Sequence, residues 1–103
     1  MPLFMLRRKY FDLIAEGRKD VELRRAEGPW KNAKYGDRAV LMCGRAIRRK
    51  KISAVHKGNL SEILSKIDYR RILPDSISRE EAVKALEELY PKEEEFIAFE
   101  LSD

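Results

Sequence analysis

The sequence predicts an α+β protein that is mainly β: a compact sheet or small barrel of about five or six short strands with flanking helices. Short apolar runs, some alternating with charged residues, are set apart by glycines and read as strands. Asn59 with Glu62 and Ser78 with Glu81 carry the spacing of helix capping boxes ahead of apolar stripes. The 103 residues are 44% hydrophobic, enough for one small core and a single domain spanning residues 1–103.

Leu3, Phe4, Met5 and Leu6 read as a short buried strand. Tyr10, Leu13 and Ile14 then recur at helical spacing, with Gly17 as the stop. In the segment 20–25, Val21 and Leu23 alternate with Asp20, Glu22 and Arg24, the period of a half-buried strand with charged side chains on its other face. Residues 26–36 hold Gly28, Pro29 and Gly36 and read as a loop with Trp30 as anchor. Residues 39–43 form a third strand, turned at Cys43 and Gly44, and residues 45–57 a long bent strand or hairpin arm closed by Gly58. After Asn59, Leu60, Ile63, Leu64 and Ile67 share a helix face. A second such helix follows Ser78, with Ala82, Val83, Leu86, Leu89 and Tyr90 as its stripe and Pro91 as its stop. Residues 96–101 are the last strand, nearly all apolar and therefore expected to be well covered.

Composition narrows the function classes. No apolar run approaches the roughly 20 residues of a membrane span, and the first residues lack the long apolar stretch of a signal peptide. The expected location is the cytoplasm, with no membrane partner. A lone Cys43 makes no internal disulfide, and with only His56 beside it there is no zinc set, so neither metal nor cofactor is expected. The absence of Gln and Thr beside abundant Lys, Arg and Glu is a thermophile-like composition. The net charge of +4 conceals a division: residues 1–58 carry 16 Lys and Arg against 6 acids, residues 59–103 carry 6 against 12. Such polarity offers a basic surface to an anionic partner; a solvated, ion-paired surface is the plainer explanation of the same charges.

The densest chemistry lies where the first helix stops. Gly17 lets the chain turn sharply, Lys19 stands at the mouth of the next strand, and Glu22 and Arg24 project from one face with their bases roughly 6.5–7 Å apart. A point-charge donor, a carboxylate and a planar fork together suit a phosphate or a base edge. A surface ion-pair ladder, worth about 0.2–1 kcal/mol per pair, is the alternative.

The spacing G-x-K-x-x-E-x-R, read as Gly17, Lys19, Glu22 and Arg24, resembles the signature of the ASCH domain family, which has the PUA-like barrel. Lys34, Gly36 and Asp37 ahead of a barrel strand, and the ELYP segment followed by FIAFEL, extend the resemblance over nearly the whole chain. It implies a charged cleft in a group proposed to bind RNA, with enzymatic members that deacylate N4-acylcytidine or cleave RNA. Those amidohydrolases use the motif lysine, matched by Lys19, a hydroxyl residue three positions later and a carboxylate before the penultimate helix. Glu22 occupies the hydroxyl position, so the threonine-like nucleophile is missing. Asp75 stands for the carboxylate, leaving a water-mediated route with Glu22 or Asp75 as base and Lys19 at the oxyanion.

Arg45, Arg48, Arg49, Lys50 and Lys51 read either as a phosphate-tracking arm or as a solvated hairpin tip. Trp30 and Tyr35 flank a basic loop, where Tyr35 is a candidate to stack a base and Trp30 more naturally caps a barrel end. Tyr10, Tyr90, Phe96 and Phe99 fit core stripes; His56 reads as a polar strand-end residue and Cys43 as a small buried one. The first reading is an RNA- or nucleotide-binding module using Gly17, Lys19, Glu22 and Arg24, supported by Arg7, Lys34, Tyr35 and the arm Arg45–Lys51. The second is a small hydrolase acting on a modified nucleoside or RNA through Lys19, Glu22 and Asp75. The third is a protein-interaction module using the acidic C-terminal half.

Overall fold

The computed structural model describes residues 2–90 and 95–103. Five strands form one mixed sheet curled into a half-barrel: β1 (Leu3–Met5), β2 (Val21–Arg25), β3 (Arg38–Cys43), β4 (Ala46–Gly58) and β5 (Phe96–Ser102), in the order β1-β3-β4-β5-β2. Only β1 and β3 run parallel. Three helices, α1 (Arg8–Ala15), α2 (Leu60–Lys66) and α3 (Arg79–Leu89), and two short 3-10 turns at Gly28–Asn32 and Tyr69–Arg71 complete it. Among the described residues no helix is long and apolar enough to cross a membrane.

The sheet divides the core. Its inner face gathers Phe4, Leu41, Ile52, Ile97 and Phe99 with Phe11 and Ile14 of α1. Its other face packs Val21, Leu23, Phe96 and Ala98 against Ile63, Ile67, Ile72 and Leu86 from the α2–α3 side. Because β2 is covered on both sides, Glu22 is buried along with Val21 and Leu23. The alternation expected of a half-exposed strand therefore conceals a buried carboxylate.

β1 departs from the buried strand expected. Only Phe4 is enclosed, while Leu3 and Met5 are 44% and 61% exposed, because the outer face of this edge strand has no covering layer. The loop expected at 26–36 contains a 3-10 turn in which Trp30 lies on Phe4, with ring centroids 6.2 Å apart and Nε1 donating to Arg25 O. The basic arm is the 13-residue β4, which bulges between Ile52 and Ala54, so its side-chain phase switches there. The Lys34–Asp37 turn holds together through Lys34 N–H to Asp37 Oδ2 (3.0 Å) and Asp37 N–H to Lys34 O (3.0 Å). The helix stop at Pro91 lies outside the described residues.

Asn59 caps α2: its Oδ1 accepts from Glu62 N–H (2.8 Å) and Glu62 Oε1 accepts from Asn59 N–H (3.0 Å). Asn59→Ala removes one side of this box and is expected to lower stability by about 1 kcal/mol in urea denaturation.

Candidate functional site

The site begins at the end of α1. With Gly17 in the left-handed region (φ +79°), the amides of Arg18 and Lys19 fold back onto Leu13 O at 2.9 and 3.1 Å. Lys19 is thereby turned inward and is 3% exposed. Its Nζ donates to Val21 O and to Ile72 O (2.9 Å) and lies 3.5 Å from Glu22 Oε1, so three protein acceptors surround the ammonium. Burial pushes Lys19 below its ordinary lysine value, and the neighbouring Glu22 carboxylate opposes that shift.

Glu22 Oε2 accepts from Arg24 Nη2 (2.7 Å) and Nε (3.1 Å). Arg24 Nη2 also donates to Met5 O at 3.0 Å, and its guanidinium carbon lies 5.2 Å from the ring centroids of both Phe4 and Trp30. Arg24 thus reaches from edge strand β2 to edge strand β1. The seam between those strands opens into a cleft of about 250 Å³ with Lys19, Glu22 and Arg24 at its base, Met5, Arg7 and Tyr10 on one wall, and Leu73, Leu89 and Tyr90 on the other. Burial raises the Tyr90 phenol above its ordinary value, and its hydroxyl donates to Leu23 O at 3.3 Å.

A second polar group lies behind the cleft. Arg71 Nε and Nη2 donate to Asp20 at 2.9 and 3.2 Å, and Nη2 lies 2.7 Å from Glu100 Oε1, whose partner oxygen is 2.6 Å from His56 Nε2. Through Arg71 this network anchors the segment whose next residue, Ile72, accepts from Lys19. The hydrogen bond from His56, assisted by Arg71, holds Glu100 below the ordinary carboxylate range.

Of the other candidate residues, Arg7 lies on the cleft and Gly17 sets the turn beneath it. Lys34 and Tyr35 are exposed on the turn before β3, outside the cleft lining. Arg45, Arg48, Arg49 and Lys51 are exposed on the β3–β4 hairpin, whereas Lys50 is drawn to Asp103. Asp75 pairs with Arg18 at 2.6 Å and lines a separate, smaller cavity beyond Tyr10. Tyr10, expected on a core stripe, lines the cleft, and Tyr90 packs against the core beside Phe96 as expected and lines the cleft as well. Their apolar spacing is that of core residues, and only a half-buried ring with a polar tip distinguishes them.

No protein-family model and no curated protein sequence matches the chain. Solved structures do. Hypothetical protein PH0355 is similar over 99% of this chain and 98% of its own, with a TM-score of 0.79 and 25% identity. The ASCH of Zymomonas mobilis is similar over 98% of this chain and 66% of its own, with a TM-score of 0.71 and 20% identity. The fold is of the ASCH type. Protein PF0455 from Pyrococcus furiosus, similar over 98% of this chain and 94% of its own (TM-score 0.71, 20% identity), agrees with it. In this ASCH-type fold the Gly17–Arg24 segment leads from α1 through β2 at the cleft.

Two predictions follow from the charges. Glu22→Gln leaves Lys19 and Arg24 without their shared carboxylate and is expected to cost about 3–5 kcal/mol in urea denaturation. Adding Lys19→Met, which removes one of the stranded charges, is expected to recover part of that loss, giving a non-additive double-mutant cycle. For Glu100, a carboxylate held below its unfolded value contributes stability that is present above the ordinary range and lost as pH falls through the folded value. Urea midpoints from neutral to acid pH are therefore expected to fall less steeply in Glu100→Gln than in the wild type.

Proposed function

We propose that the protein is an RNA- or nucleotide-binding module that holds a nucleotide in the cleft over Lys19, Glu22 and Arg24. The observation that carries this reading is the make-up of the cleft: Lys19, Arg24 and Arg7 against the single carboxylate of Glu22, between walls that present Tyr10 and Tyr90. A net-cationic base favours a phosphate, the Glu22 carboxylate favours a base-edge N–H donor, and the tyrosines offer rings to a base. The cleft is just below the roughly 300 Å³ at which drug-sized pockets begin, which suits one nucleotide unit rather than a duplex.

Lys19 acts here as a positioning residue. Its ammonium is already met by two carbonyls and Glu22, so it orients the carboxylate and leaves contact with ligand to Glu22, Arg24 and Arg7. A hydrolase of a modified nucleoside is the second reading. It is favoured by the depressed Lys19 beside a carboxylate in a cleft, with Glu22 as the base for an attacking water. Among the described residues the lining contains no Ser, Thr or Cys, so covalent acyl transfer has no side-chain nucleophile of those types there. Asp75 stays outside this scheme because it lines the other cavity.

Fluorescence anisotropy with labelled single-stranded RNA at two salt concentrations tests the binding reading. The wild type is expected to bind with a salt-dependent affinity, and Tyr10→Ala to weaken it by the roughly 1–3 kcal/mol of one stacked base. Arg24→Gln is also expected to weaken it. Binding that ignores both substitutions defeats the cleft reading, and turnover of N4-acylated cytidines would carry the second reading in its place.

A further inference from the structure

The basic arm is not one surface. In the ladder β1-β3-β4, Leu3 lies beside Val40 and Met5 beside Met42, while Met42, Val40 and Arg38 lie opposite Ile47, Arg49 and Lys51. Partners in a ladder share a face. These residues therefore share the outer face of the half-barrel, and Phe4, Leu41 and Ile52 point to the interior. Arg48 and Lys50, opposite Leu41 and Ala39, belong to that other side.

The outer face has an unusual make-up. One end, toward the β3–β4 hairpin and β1, is apolar and open, with Leu3, Met5 and Ile47 at 44%, 61% and 45% exposure. Its far end carries Arg38, Arg49 and Lys51, and none of its eight residues is acidic. Arg38 stands directly opposite Lys51, an arrangement of like charges that destabilises an antiparallel pair. None of the three cations has an acidic partner among the described residues, although Arg18, Arg24, Lys50, Arg70 and Arg71 all do. Beside them Tyr35 is 70% exposed, with Lys51 Nζ 5.7 Å from its ring centroid.

The face is also continuous with the cleft. Met5 lies on it and lines the cleft as well. From Met5, crossing two strand spacings to β4 and following it to Lys51, opposite Arg38, covers roughly 15–20 Å, more than one nucleotide occupies.

We infer that the outer face of β1, β3 and β4 is a track for single-stranded RNA leaving the cleft, with Met5, Met42 and Ile47 under the chain and Arg38, Arg49 and Lys51, beside Tyr35, holding its phosphates. The inference rests on the cleft reading and adds a direction and a length to it. An unpaired cluster of cations on an apolar strand face fits a flexible polyanion whose bases need apolar contact; a rigid duplex meets only its phosphates.

The test compares a dinucleotide with an octanucleotide of single-stranded RNA, on the wild type and on the triple variant Arg38→Thr, Arg49→Thr, Lys51→Thr. All three positions are exposed, and Thr suits a strand. Removing the Arg38–Lys51 repulsion also leaves folding unthreatened, which a thermal melt verifies. The wild type is expected to bind the octanucleotide at least about tenfold more tightly than the dinucleotide. The variant is expected to bring the two together by losing octanucleotide affinity alone. Its salt slope for the octanucleotide is expected to shrink by about 2, from three phosphate contacts at about 0.7 each. Equal wild-type affinities for the two lengths overturn the track while leaving the cleft reading intact, and failure of the wild type to bind either removes both. A variant that keeps full octanucleotide affinity also overturns the track. If that variant self-associates in sedimentation, the cations instead guard the face against a second copy.

Discussion

The buried carboxylate of Glu22 is the point on which the two layers of this protein meet. It lies on the inner face of β2, 6% exposed, with Lys19 on one oxygen and Arg24 on the other. Either cation alone would leave part of the carboxylate unsatisfied in the interior, and burying an ionised group is tolerable only when it is paired and hydrogen-bonded. The two cations then extend its reach in opposite directions. Lys19 carries it to Ile72 O on the segment below α3, and Arg24 carries it to Met5 O on β1. One acid thus links the loop segment, the β2 edge and the β1 edge, the three walls of the cleft.

This arrangement explains why the half-barrel opens where it does. β1 and β2 are the two ends of the strand order, and no ladder joins them. Arg24, lying over Phe4 and Trp30, spans the gap with a side chain in place of a strand pairing. A side-chain bridge spans the seam without sealing it, leaving room for a ligand at a place where main-chain hydrogen-bonding groups are already near the surface. Open strand edges are commonly blunted by charge or cover; here the same charge that spans the edges also furnishes the cleft.

The sequence carried the local parts of this design and little of the long-range part. Asn59 with Glu62, Gly17 after α1 and the turn at Lys34–Asp37 are signals contained within a few residues, and each corresponds to an observed cap or turn. The convergence of Lys19, Glu22 and Arg24 was legible for the same reason: the turn and a two-residue strand period place all three within six positions. The burial of Glu22 was not, because its two cations are held by positions far away in the chain, Lys19 by Ile72 O and Arg24 by Met5 O. His56 and Glu100 likewise meet only across β4 and β5, beyond a bulge that shifts the pairing. Asp75 shows the converse: it precedes α3 as the family resemblance required, yet the turn before it carries its side chain to Arg18. The basic arm read as a single charged run, whereas a strand distributes alternate residues to opposite faces.

The His56–Glu100–Arg71–Asp20 network gives the cleft its second fixed wall. Arg71 is held by Asp20 at the entry to β2 and by Glu100 on β5, and the following residue, Ile72, is held by Lys19. Two successive residues are therefore tied to the strand system separately, Arg71 by two carboxylates and Ile72 O by the Lys19 ammonium. A wall pinned at one residue can rotate about that contact; pinned at two, it keeps both position and angle. The cost of ordering this segment is met in folding rather than when a ligand arrives, the condition under which a small site with few contacts binds well. The acidic residues of this network, Asp20 and Glu100, are thereby spent on the scaffold.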